Sequence, residues 1–202
     1  MKYAVLTGDI VDSTHLAPGE LDALMQLLEG THQHLNDWPE TSAYFARRGG
    51  DGWQIALEGT RYDLRAALYI RAALLAEHPD CATRIALATG DGDMGGQNDP
   101  NRSHGAAFIA SGRLLENLKA RHQMAHAGGG AQAACVALAD QISQNWTQAQ
   151  SRALCQSLPP GAGPRAEAAQ KLGITRQSVN DALWSAGFPA IERALTSWED
   201  AT

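Results

Sequence analysis

The sequence predicts an α+β fold in two parts, a mixed sandwich of the split βαβ kind followed by a small all-helical unit. Three observations predict it. Strand-like and helical apolar patterns alternate over residues 1–127. The triplet Gly128-Gly129-Gly130 ends that alternation. Beyond it every segment carries helical spacing and strand signals vanish.

"KYAVLTGDI" opens the chain as a short strand, with Tyr3, Val5 and Thr7 on one face and Ala4 and Leu6 on the other. Both faces are largely apolar, as expected of a strand covered on two sides. Ser13 or Thr14 is placed to cap a helix over "GELDALMQLLEGTHQHL", where Leu21, Leu24, Met25 and Leu28 recur at helical spacing. "AYFARRGGDGWQIAL" reads as two strands joined at Gly49-Gly50-Asp51-Gly52, whose three glycines suit the positive-φ positions of a tight hairpin. A long helix, "YDLRAALYIRAALLAEH", then precedes a strand, "ATRIALATG", and a polar loop from Gly90 to about Gly105. "AAFIASGRLLENLKARH" is the next helix and "QMAHAG" a short strand. The order β-α-β-β-α-β-α, with a hairpin inside, is that of a ferredoxin-like sandwich.

The chain of 202 residues is long enough for a full core plus a small appendage. A formal net charge of -6 leaves no global basic footprint, so any nucleic-acid contact has to come from a local patch. Cys81, Cys135 and Cys155 are widely spaced and form no CxxC pair, which predicts reduced, mostly buried thiols rather than zinc or disulfides. No apolar run spans a bilayer, and the opening lacks an apolar signal region, so a cytoplasmic location is the expectation.

Candidate chemistry lies at the end of the first strand. In this topology the strand and the hairpin are neighbours, which brings Asp9 towards Asp51. Two carboxylates plus a backbone carbonyl make a hard-oxygen site suited to Mg²⁺ or Mn²⁺. The backbone amides that follow, around Ser13 and Thr14, are placed to receive phosphate oxygens. The plainer reading is that Asp9 caps a turn and Asp51 is a common hairpin residue. Arg47 and Arg48 are either solvated or poised to bind phosphate beside the acidic turn. Asp91 and Asp93 read as a solvated turn, His104 as a turn residue, and His122 with His126 as strand-end residues rather than a metal pair.

"GDIVDST", "RRGGDGWQIAL", "TRIALATGDG" and "GAAFIASGRLLENL" together resemble, in order, the landmarks of class III nucleotidyl cyclase domains. The resemblance covers residues 1–127, and the whole chain with its helical tail also resembles the bacterial SatD-like proteins. It implies a cyclase-type sandwich in which Asp9 and Asp51 are the two metal aspartates and Ile10 lends its carbonyl. It implies a homodimer, because sites of the family form between two subunits, and a two-metal attack of a ribose hydroxyl on the α-phosphate. Arg47 stands where the family has its purine-selecting lysine, and Arg102 where it has a base-reading acid or threonine. The transition-state arginine is kept as Arg113, while its partner asparagine is replaced by Ile109. Asp12 replaces a glycine beside the phosphate-binding amides. Losing one transition-state donor costs roughly 10² to 10³ in rate, so the resemblance implies a degenerate domain that still binds a metal and a nucleotide or phosphate ligand.

A linker helix is expected over residues 128–145 and a helix-turn-helix domain over 146–202. "AEAAQKLGITRQSVNDALWSAGF" carries Ala169 and Leu172 inward on a first helix, a turn at Gly173, and Ile174 as a plug. Thr175 caps a second helix whose Val179 and Leu183, with Trp184 as a further candidate, face the core. Thr175, Arg176, Gln177, Ser178 and Asn180 begin that helix and are side-chain types that read bases and phosphates. The pattern resembles the bacterial regulator and sigma-factor-like helix-turn-helix class. From Trp146 onward five basic residues meet five acidic ones, so DNA affinity has to come from one face or from a dimer. The expectation is a DNA-binding regulator with a cyclase-like sensory domain. The alternatives are an active cyclase with unusual base selection and a non-catalytic dimerising scaffold.

Overall fold

The computed structural model describes residues 1–95, 98–119 and 121–201. Its first part contains β1 (Lys2–Ile10), α1 (Glu20–Leu35), the hairpin β2 (Ala43–Arg48) and β3 (Gly52–Glu58), α2 (Asp63–Glu77) and β4 (Thr83–Asp93). There follow β5 (His104–Gly105), α3 (Ala106–Asn117) and β6 (Met124–His126). The sheet order is β2-β3-β1-β4-β5, with β6 pairing in parallel to β4. β1 runs antiparallel to both β3 and β4. This is the split βαβ arrangement expected from the element order, and the fold is α+β.

The alternation along β1 places its two faces in different cores. Ala4, Leu6 and Ile10 join α1 and α2 in the larger cluster, while Tyr3 and Val5 pack with Ala107 and Phe108 of α3 in the smaller one. The sheet is thus covered by α1 and α2 on one side and by α3 on the other. Three local expectations change. Ser13 and Thr14 do not cap α1; they form a short 3₁₀ turn, Ser13–His15, and Gly19 stands at the α1 N-cap. Of the three hairpin glycines only Gly49 adopts positive φ, at 61°. The loop expected from Gly90 is strand as far as Asp93, because Lys2 and Tyr3 of β1 pair with Asp91 and Gly90. The rest of that loop includes residues 96 and 97, and the expected end of the α3 helix includes residue 120; these lie outside the described residues. α3 stops at Asn117.

The tail is helical throughout: α4 (Gly130–Ser143), α5 (Gln148–Cys155), α6 (Arg165–Leu172), α7 (Arg176–Ser185) and α8 (Phe188–Ala201). The sequence reading missed α8, although Phe188, Ile191, Leu195 and Trp198 form its buried stripe at helical spacing. Val136, Leu154, Val179 and Leu195 lie in the same cluster as the α1 and α2 side chains. α2 is the shared element, with 12 of its 15 residues buried. Three of its buried charged residues are engaged from the tail. Asp63 accepts from Trp198 Nε1 (2.6 Å), Arg65 pairs with Glu199 (2.5 Å), and Arg71 pairs with Asp140 (2.9 Å). The three cysteines are free, and burial pushes the thiols of Cys81 and Cys155 up to about 11 and about 12. Among the described residues no helix is long and apolar enough to cross a membrane.

Candidate functional site

The register places four residues in one row at the sheet end. Arg48 on β2 opposes Gly52 on β3, Gly52 opposes Asp9 on β1, and Asp9 opposes Arg84 on β4. Directly paired residues point to the same face. That face is the α3 side, because Thr7, two residues before Asp9, lies 2.8 Å from Ser111 of α3.

Within this row Asp9 is closed by Arg84. Nε of Arg84 donates to Oδ1 of Asp9 at 2.8 Å, Nη2 donates to Oδ2, and Nη1 donates to the Leu118 carbonyl at the end of α3 (2.9 Å). The hydrogen bonds that Arg84 donates to Asp9 hold the guanidinium above its usual range against burial, and the charges of Asp9 and Asp51 add to this. Asp51 lies beside them. Its carbonyl accepts from the Ile10 amide (3.2 Å), and its Oδ2 accepts from Ser13 Oγ (2.5 Å). The topology therefore does bring Asp9, Ile10, Asp51 and Ser13 to one place, with Ile10 buried and Thr14 exposed. As it stands the donor set does not fit a bound divalent cation, because a guanidinium already takes both oxygens of Asp9. No cluster of three His, Cys, Asp or Glu suited to a metal occurs among the described residues.

Asp12 has a backbone reason for its place. It sits in the left-handed region at φ 53°, where glycine is favoured and Asp is among the few tolerated alternatives. Its side chain is exposed and makes no cap.

The neighbouring arginines separate by face. Arg47 points away from the row, with Nη1 on Asp22 of α1 (2.7 Å) and Nε on the Gly50 carbonyl (3.0 Å). Arg48 lines a cleft of about 280 Å³ between the hairpin, residues 100–104 and α3. Gln54, buried beneath it, accepts from Arg48 Nη1 (3.1 Å) and Thr7 Oγ1 (2.8 Å) and donates to the Pro100 carbonyl (3.3 Å). A polar chain Ser111–Thr7–Gln54 thus anchors Arg48 from below. Arg113 and the exposed Ile109 line the opposite wall on α3. Arg102 ends the short 3₁₀ turn Pro100–Arg102 and is exposed. Sequence reasoning missed Arg84 and the anchoring role of Gln54. A single charge in the apolar strand "TRIALATG" was the available signal for Arg84.

The second candidate surface is the helix pair α6 and α7, joined at Gly173. α6 ends on Gly173, left-handed at φ 66°, and the Ile174 amide closes back onto the Ala169 carbonyl (3.1 Å). A residue with a Cβ would be strained there, which is why a glycine makes this turn. Thr175 caps α7 by accepting from the Ser178 amide (3.0 Å). Thr175, Arg176, Gln177 and Ser178 are exposed on its first turn. Asn180 is half-buried and accepts from Arg165 (2.8 Å), and Gln177 donates to Asp181 (2.7 Å). Val179 and Leu183 are buried as expected, but Ile174 is 45 % and Trp184 67 % exposed. Ile174 therefore does not plug the junction, and Trp184 does not face the core, where the inward stripe of α7 is already filled by Val179 and Leu183.

No family model matches the chain, and no curated protein matches it. Among solved structures it is similar to a bacterial light-regulated adenylyl cyclase, with 14% identity over 62% of this chain and 74% of that one and a TM-score of 0.43. It is also similar to the adenylyl cyclase CyaB from P. aeruginosa, with 16% identity over 62% of this chain and 76% of that one and a TM-score of 0.42.

Proposed function

We propose that this chain is a DNA-binding regulator whose N-terminal part is a cyclase-like module that binds a phosphate-bearing ligand without cyclising it. The observation that carries the reading is the capped α7 with its exposed first turn, Thr175 to Ser178, following the left-handed turn at Gly173. Such a turn is the part of a recognition helix that meets base edges and phosphates. In the N-terminal part, Arg48 and Arg113 across one cleft support an anionic ligand. Asp9 and Asp51 would hold Mg²⁺ or Mn²⁺ only after Arg84 withdraws. A homodimer would supply two recognition helices and double the phosphate contacts of a tail whose own charges balance.

Three measurements test this. On genomic fragments at low salt a shift is expected that weakens steeply with added salt. Arg176→Ala should reduce the affinity on the order of tenfold and flatten the log–log salt slope by about one. No shift at any salt would leave the scaffold reading instead. Incubation with Mn²⁺ and each nucleoside triphosphate is expected to give no cyclic product, and Mn²⁺ should raise the melting temperature of Arg84→Ala but not of the parent. Cyclic product that disappears in Asp51→Ala would overturn the non-cyclising reading in favour of an active cyclase. The adjacency of Asp9 and Asp51 at the sheet end is the observation that favours that second reading.

A further inference from the structure

A cleft of about 600 Å³ lies away from the Asp9–Asp51 site and from the exposed first turn of α7, where α1 and α2 meet α5 and α6. Its volume falls in the range of small-molecule sites, roughly 300–1,000 Å³. Small residues open it. Gly30 of α1 and Ala73 of α2 line it, and a Cβ built on Gly30 meets nothing within 4 Å. Leu27 and Leu172 supply apolar wall, while Tyr69 supplies a hydroxyl beside His34 Nδ1 (3.3 Å).

Charge at the rim selects the ligand. Arg152 of α5 and Lys171 of α6 line it together with one acid, Glu77. Arg152 is held in place by donating from Nε to the Ala76 carbonyl of α2 (3.3 Å). Lys171 is exposed and forms no ion pair with a described residue. Burial pushes Tyr69 and the adjoining Cys155 up to about 12, so both stay neutral and do not offset the cations. A net-positive cleft with an apolar wall suits an anion carrying an apolar body.

We propose that this cleft is a binding site for a small amphipathic organic anion, whose apolar part rests on Leu27 and Leu172 and whose charged end meets Arg152 and Lys171. Its occupant bridges the helices that pack on the sheet to the first helix of the helix-turn-helix. On the DNA-binding reading above, a ligand that favours one placement of α6 would shift DNA affinity by its differential affinity for the two placements.

The test uses the full chain and the fluorescent anion 8-anilinonaphthalene-1-sulfonate. One saturable site per chain is expected. Lys171→Glu should weaken it roughly tenfold or more, because the rim then carries a net negative charge. Gly30→Leu should abolish it by filling the cleft, while retaining the fold because leucine is a better helix former than glycine. Melting temperature and far-ultraviolet circular dichroism are measured on each variant to separate occlusion from unfolding. Phenylacetate or phenyl phosphate should displace the probe, and which one does so names carboxylate or phosphate as the charged group. Binding that survives both substitutions, or displacement by neither competitor, overturns the proposal. The titration contains no DNA, so its failure and the failure of the DNA-binding reading are separate results.

Discussion

Asp140→Ala is expected to remove about 3–5 kcal/mol of stability, the usual cost of stranding one partner of a buried ion pair. Asp140 and Arg71 are each only 3% exposed at the side chain. Oδ1 of Asp140 accepts from Arg71 Nη2 (2.9 Å), while Oδ2 accepts from the Gln123 amide (3.0 Å) and from Gln144 Nε2 (2.8 Å). Ser143 Oγ and the Asp140 carbonyl receive Arg71 Nη1. Removing the carboxylate leaves a guanidinium in the interior and an amide without its acceptor. Burial already lowers the affinity of Arg71 for its proton, and the Asp140 charge is what opposes this. Against a typical total of about 5–15 kcal/mol, such a loss brings the chain close to unfolding. Urea denaturation should show a large fall in midpoint with an unchanged slope. Replacing both residues by apolar ones of similar size should recover much of the loss, because the pair then leaves together with its desolvation cost. A single substitution that leaves the midpoint unmoved would mean that the contact contributes nothing between α2 and α4.

Trp53→Ala is expected to cost about 3–5 kcal/mol by opening a cavity in the core. The ring is fully buried and its Nε1 donates to Thr83 Oγ1 (3.0 Å). It lies flush on β1 at Gly8, where a Cβ would stand 2.3 Å from the ring and 2.4 Å from the Arg84 carbonyl. The strand can approach Trp53 this closely only because position 8 has no side chain. Gly8→Ala alone should therefore also destabilise, by roughly 1–3 kcal/mol, through overpacking. In the Trp53→Ala background the ring is gone and part of that penalty should go with it. A double-mutant cycle is then expected to be non-additive by at least about 0.5 kcal/mol. Additivity would place the clash on the Arg84 carbonyl alone. Gly8 directly precedes Asp9, so the same packing that excludes a side chain at Gly8 also fixes the strand end that carries the candidate site.

Much of the fold was legible because its signals are local. The two-sided apolar pattern of "KYAVLTGDI", the glycine hairpin and the Thr175 cap each depend on a few adjacent residues. α8 went unread although its pattern is equally local, with Phe188-Pro189 following a helix end that draws attention to termination. The candidate site was half legible. Asp9 and Asp51 were identified from one strand end and one turn, and the pairing of Asp9 with Gly52 does bring them together. Their partner was hidden, because Arg84 is 75 residues away and pairs only through the β1–β4 register. Arg47 and Arg48 look equivalent in sequence. The alternation of the strand sends one to Asp22 and the other into the cleft, and the choice between them depends on the face the sheet turns to α3.

By itself, then, the sequence determined the order and kind of most elements, the split sheet and the turn at Gly173 between two tail helices, because periodicity, caps and turns act over a few residues. Only the tertiary structure decided that Asp9 is closed by a guanidinium, that α2 carries buried ionic contacts to the tail, and that α1, α2, α5 and α6 enclose a cleft. Each of these depends on register and on which helix faces meet, quantities set by packing across long separations rather than by any neighbouring residue.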